Sequence, residues 1–262
     1  CEEFPQNAYL ANVKIVENLV KWIGKNGNSS HLVQLSTDHV YDGIGPHSEE
    51  NISPLNYYGF SKYAGELLAT KVNSTILRTN FFGRTQIPGK MSYSDWLIDS
   101  LTKGKKITVF DDVYFSPLSL QRVTELLELV IVKRKQGIFN LGSKEGMSKA
   151  DFSFMLAKVL HLPIENMSRG QLNMVELVAC RAKDMRMNSS KFEKAYKVEL
   201  PSLENEIQTL VNPVVNQSER KTLTTSIKQD NKLALFGGKP TRAKLLPYGR
   251  QFVDQKDIDA VV

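Results

Sequence analysis

Residues 31–43 read HLVQLSTDHVYDG, and residues 57–66 read YYGFSKYAGE. The first stretch opens as a short apolar run of strand length and ends in a hydroxyl, Thr37. A strand buried on both faces of a parallel sheet has that look. The second stretch continues as NYYGFSKYAGELLATKV over residues 56–72, with helical spacing through Tyr63, Leu67, Leu68 and Val72. Between the two lies DGIGPHSEENISP, a polar loop punctuated by Gly and Pro.

Working outward, Leu10, Val13, Val16, Val20 and Ile23 fall on one helical face that stops at Gly24, and STILRTNFFG at residues 74–83 is another β-rich run. Helix, strand, helix and strand joined by loops predict an α/β sheet built from crossover units. Beyond Gly83 the alternation loosens. KITVF (106–110) and GIFNLG (137–142) remain strand candidates, and residues 119–134, 148–162 and 200–211 read as helices, the second opened by Ser148 as N-cap. Residues 214–232 are poor in large apolar groups and read as a linker.

Tyr58 and Lys62 are four apart, which puts both on one helical face. A neighbouring ammonium favours the phenolate and so lowers a tyrosine pKa toward the working range. Such a tyrosine exchanges a proton with an oxygen whose carbon gains or loses hydride. Thr37, at the C-terminal end of its strand, lies where α/β sheets bind ligands and can hydrogen-bond the same oxygen. The set reads as a carbonyl-reduction site served by a nicotinamide cofactor. A surface Tyr-Lys pair is the plainer reading of the spacing alone; the strand, the STD and the PLNYYGFSKYAGE context together favour chemistry.

Composition excludes other classes. The net charge of +6 comes from 34 basic and 28 acidic residues that are scattered, and the densest basic run, Lys133 to Lys135, reads as a solvated helix end, so no nucleic acid is expected. No apolar window has membrane-spanning length, so no membrane contact is expected. Cys1 and Cys180 show no metal or redox spacing, and neither do His31, His39, His47 and His161, so no metal is assigned and a reducing, cytoplasmic setting is the simplest expectation. Met147, Met155 and Met167 read as core or loop. No G-x-x-G-x-x-G phosphate turn occurs in the 262 residues. The start at Cys1 and the end inside an amphipathic pattern suggest a fragment.

These motifs, with AYLANVKIVENL around Asn12 and RAKDMRMNSSKFEKAYKVELPS near the end, resemble the extended short-chain dehydrogenase/reductases, and within them the dTDP-4-dehydrorhamnose reductase group. The resemblance implies that residues 1–83 are the C-terminal part of an NAD(P)-binding Rossmann domain, a partial parallel sheet. Residues 84–213 are then a smaller α/β substrate-binding region with the remaining sheet elements. It implies Thr37, Tyr58 and Lys62 as catalytic residues, with Tyr58, Lys62, Asn12 and Asn80 toward NADPH or NADH, Asn12 supporting the lysine through water. Asp38, His39, Asn80 and Phe81 would face the sugar. His39 stands where the reductases carry tyrosine, and Asp38-His39 lacks the Asp-Glu of related dehydratases, so water elimination is not expected. Arg181 or Arg186 could meet a diphosphate, with surface salt bridging as the alternative. The implied ligand is a nucleotide-diphosphate sugar and a homodimer is compatible. The alternatives are an epimerase or a non-catalytic, cofactor-binding regulatory subunit. Residues 233–262, with GGKP and LPYGRQ, resemble the opening of a pyridoxal-phosphate (PLP) aminotransferase acting on keto sugars; Asp254 and Asp257 would cap its first helix, Lys239 and Lys244 carry no catalytic role, and PLP would belong to a downstream domain.

Overall fold

In the computed structural model, residues 1–26, 29–85, 90–174 and 179–209 are described. The linker at 214–232 and the aminotransferase-like segment at 233–262 lie outside them. Three parallel strands make the main sheet, in the order β1 (Leu32–Thr37), β2 (Ser74–Thr79), β7 (Gly137–Leu141). All six residues of the central β2 are buried, because both faces of the sheet are covered. Ile76 faces helices α2 (Ile15–Asn26) and α3 (Tyr57–Ala69), packing with Val16 and Ala69. Leu77 faces the other way, into a core with Val123, Val130, Phe139, Phe192 and Tyr196 from α5 (Leu120–Lys133), β7 and α7 (Ser190–Tyr196).

A second core gathers Phe82, Leu97, Leu101, Val109, Phe152, Leu156 and Ile207. It is built by α4 (Tyr93–Thr102), α6 (Lys149–Val159) and α8 (Leu203–Thr209) around the parallel pair β4 (Ile107–Phe110) and β9 (Met167–Gly170). Shorter pairs join β3 (Phe81–Phe82) to β6 (Leu118–Ser119) and β5 (Tyr114–Phe115) to β8 (Met147–Ser148). The expected Ser148 cap is present, accepting from Asp151 N, and Asn80 divides the run 74–83 into two strands. Among the described residues no helix is long and apolar enough to cross a membrane.

Two expected helix faces are corrected. Ahead of α2, the chain runs through α1 (Pro5–Tyr9) and a π-helical turn, Leu10–Lys14. The wider turn rotates Leu10 outward, so it is exposed while Val13 and Val16 are buried. On α3, Leu67 is exposed, and the buried residues are Gly59, Ser61, Gly65, Glu66 and Ala69. Small residues are required there: a Cβ on Gly65 would overlap the Asn12 carbonyl oxygen, and one on Gly59 would overlap that of His39.

Glu66 is fully buried because Arg78, equally buried on β2, grips it through Nε and Nη2 at 2.6–3.1 Å. Arg78 Nη1 also donates to Tyr41 Oη (2.9 Å) and to the Glu49 carbonyl (2.6 Å), and Tyr41 donates to Asn140 Oδ1 on β7 (2.6 Å). One guanidinium thus ties α3, the loop after β1 and β7 to the central strand. Removing one partner of such a pair leaves the other buried and uncompensated. Glu66→Ala is expected to cost about 3–5 kcal/mol in denaturant unfolding; a loss no larger than that of a surface substitution would contradict the role given to this pair.

Candidate active site

Thr37 closes β1, and its hydroxyl oxygen caps the single turn Asp38–Val40 by accepting from His39 N at 3.2 Å. The same hydroxyl donates to Asp38 Oδ1 (3.2 Å), while Asp38 Oδ2 accepts from Asn80 Nδ2 at 2.6 Å. Sheet register brings these together: Thr37 pairs with Thr79, so Asp38 and Asn80 leave adjacent strands side by side. Asp38 is buried and held from both oxygens.

Helix α3 starts beside this strand end. Asn56 caps it by accepting from Gly59 N at 2.8 Å, and its amide nitrogen donates to the Cys180 carbonyl at 3.0 Å. Tyr58 stands in the first turn, edge-on to His39 with ring centroids 5.6 Å apart. Burial raises the Tyr58 pKa above its ordinary value, a hydrogen bond with Thr37 pulls it back, and the Asp38 charge adds to the rise. The expectation that Lys62 lowers it is corrected. Lys62 Nζ instead donates to the Leu35 carbonyl at 2.6 Å, and burial lowers its own pKa while Glu66 opposes the fall. Tyr58 is therefore a neutral phenol at neutral pH, ready to give a proton rather than to take one.

Asn12 touches neither Lys62 nor the strand end directly. Its side chain donates to Ser61 Oγ (2.9 Å), which donates to the Tyr58 carbonyl (2.9 Å), so it fixes the first turn of α3 from behind. Phe81 is half exposed at the start of β3, with no ring or hydrogen-bond contact to the cluster among the described residues. Thr37, Asp38, His39, Tyr58 and Asn80 are brought together, with Lys62 one turn along the helix. Of the two arginines, Arg186 is held by Asp184 through Nε and Nη2 at 2.9 and 2.7 Å, whereas Arg181 lines a recess of about 240 Å³ with His39, Asn56 and Tyr58.

Lys149, at the start of α6, was not legible as a site residue. Burial and the nearby Arg181 lower its pKa to about 8, with Asp38 opposing. Burial likewise holds His39 below its ordinary range, against the pull of Asp38, and Lys149 and Arg181 add to the shift. Among the described residues the buried His39 Nδ1 has no hydrogen-bond partner.

The residues present fit the nicotinamide-ribose end of a dinucleotide. Lys62 uses one of its three N–H donors on Leu35 and Tyr58 is partly exposed, which leaves donors for ribose hydroxyls. A parallel sheet covered on both faces, a hydroxyl at a strand end and Tyr-x-x-x-Lys opening the next helix define a short-chain dehydrogenase/reductase of the extended, RmlD-like kind. The sequence profile of the RmlD substrate-binding domain matches residues 1–216, and the chain belongs to that family.

The chain is 28% identical over 214 residues to methionine adenosyltransferase 2 subunit beta of Rattus norvegicus, covering 73% of this chain and 60% of that protein. It thus spans less than two thirds of that relative's length. It is 24% identical over 234 residues to a dTDP-4-dehydrorhamnose reductase of Sinorhizobium fredii, covering 80% of this chain and 74% of the relative. The crystal structure of dTDP-4-dehydrorhamnose reductase from Bacillus anthracis in complex with NADP superposes with a TM-score of 0.73 at 21% identity, over 81% of this chain and 75% of that one.

An ultraviolet titration comparing the protein with its Tyr58→Phe variant is expected to lose one phenol that ionises above the ordinary tyrosine value of about 10. A missing phenol that ionises near neutrality would contradict the environment described for Tyr58.

Proposed function

We propose that the protein reduces the carbonyl of a nucleotide-linked 4-keto sugar, with NADPH or NADH as the electron donor, in the making of deoxy or amino sugars. The observation that carries this reading is the convergence of Thr37 and the neutral Tyr58 phenol beside the buried, doubly held Asp38. When bound, the nicotinamide supplies hydride to the carbonyl carbon. The Thr37 and Tyr58 hydroxyls orient the carbonyl oxygen, and Tyr58 gives it the proton as negative charge develops there. Lys62, anchored on the Leu35 carbonyl, keeps two further N–H donors for the ribose hydroxyls. Epimerisation would use the same groups through a transient oxidation.

A second reading, a non-catalytic subunit that binds a partner enzyme, is favoured by the likeness to methionine adenosyltransferase 2 subunit beta. The protein expressed from its natural gene separates the two. Tyr58→Phe is expected to lower keto-sugar reduction by about 10²–10⁴-fold while cofactor binding persists. Reduction that is absent from the unaltered protein, with an effect on a partner enzyme that survives Tyr58→Phe, would establish the subunit reading instead.

A further inference from the structure

The two cysteines of the chain, Cys1 and Cys180, lie far apart in sequence and share no motif, yet the fold brings them to one place. Both are free and exposed. Cys1 lines the recess of about 240 Å³ that contains Tyr58 and His39, and so do Ala179 and Arg181, the residues on either side of Cys180. Two hydrogen bonds hold these segments to consecutive residues at the start of α3. Glu2, next to Cys1, accepts from Tyr57 N at 2.6 Å, and the Cys180 carbonyl accepts from Asn56 Nδ2 at 3.0 Å. Asn56 lines the recess as well.

Two unrelated surface thiols would be the plain reading of two exposed cysteines. The shared recess and the adjacent anchors argue for a pair. A compact cavity of that volume is roughly 8 Å across, and a disulfide joins Cα atoms about 4.4–6.8 Å apart, so a small shift of either exposed segment brings the sulfurs into reach.

We propose that Cys1 and Cys180 form a reversible disulfide across the rim of the Tyr58 recess, which makes access to this site sensitive to hydrogen peroxide. One thiolate attacks a peroxide oxygen and breaks the O–O bond, giving a sulfenic acid and hydroxide. The other thiolate attacks that sulfur, forms the S–S bond and expels the second oxygen as hydroxide. With the two thiol protons, two thiols and one peroxide become one disulfide and two waters; the sulfurs are oxidised and the peroxide is reduced. The bond draws Cys1–Glu2 and Ala179–Arg181 together over Tyr58 and His39 and narrows the entrance. A dithiol reverses it, and in a reducing setting such a bond is transient. The proposal goes beyond the reductase reading and does not depend on what enters the recess.

Peptide mapping by mass spectrometry, without reductant, tests this on the protein from its natural gene after exposure to hydrogen peroxide. A peptide that joins Cys1 to Cys180 within one molecule is expected, lost on treatment with dithiothreitol and absent from Cys1→Ser and from Cys180→Ser. Both cysteines are exposed, so neither serine variant disturbs a core. The link should form about tenfold faster or more in the folded protein than in urea, where the chain must close a long loop by chance. In the linked protein the Tyr58 phenol, identified against Tyr58→Phe, should ionise at a higher pH than in the reduced protein, because the narrowed rim removes water from it. Cysteines recovered unlinked, singly oxidised or joined only between molecules would overturn the proposal. So would a link that forms no faster in the folded protein, or one that leaves the Tyr58 titration where it was.

Discussion

The salt bridge between Glu66 and Arg78 is the constraint on which the rest of this structure depends. Two fully buried charges are tolerable only with close, multiple contacts, and Arg78 has them with Glu66, Tyr41 and the Glu49 carbonyl. Glu66 lies one turn beyond Lys62 and two beyond Tyr58 on α3. Locking Glu66 to the central strand therefore fixes the axial position of that helix against the sheet, and with it where the phenol meets the end of β1. Gly59 and Gly65 set the other coordinate, letting α3 press against the His39 and Asn12 carbonyls. The carbonyl reduction proposed here would need its donors placed to about an ångström or better. Here that placement is supplied by one buried ion pair and two missing side chains.

The core of this arrangement was legible in the sequence because it is local. HLVQLST, the helix that begins at Tyr57 and the run ILRT each announce their element by composition and period, and the parallel sheet follows from their order. Thr37 and Asn80 stand at positions that the strand register places side by side, and Tyr58 at the start of the helix beside them. The pair Glu66 and Arg78 was present in the quoted motifs, but a sequence does not say that two charges twelve residues apart are buried together. Periodicity also misled where geometry departs from the ideal helix. The π-turn at Leu10–Lys14 shifts Leu10 out of its expected face, and α3 buries glycines and a glutamate where apolar spacing pointed to Leu67.

Past Gly83 the reading thinned for a physical reason. Besides β4, α6 and α8, which their sequences signal, the second core uses two-residue strands, β9 and α4, whose strong local mark is the Ser92–Asp95 capping box. Such elements are held by tertiary packing around Phe152 and Leu156, so their own sequences carry little signal. Lys149 belongs to the same class. Its position beside Asp38, His39 and Arg181 arises from the packing of α6 against distant segments, and nothing in its local sequence separates it from an ordinary first-turn lysine. The correction at Tyr58 has a similar origin: the spacing to Lys62 is right, but the lysine turns to the Leu35 carbonyl and burial controls the phenol.

The family assignment leaves two outcomes for one architecture, since the relatives include both reductases and a subunit of another enzyme. The deciding event is the transfer of hydride onto a carbonyl carbon beside Tyr58. The most direct measurement incubates the protein from its natural gene with a nucleotide-linked 4-keto sugar and with NADPH or NADH deuterated at the hydride-bearing carbon, then locates the label in the sugar. The account predicts deuterium on the former carbonyl carbon, lost when Tyr58 is replaced by phenylalanine. Unlabelled sugar with both cofactors, recovered from protein that binds them, would contradict it.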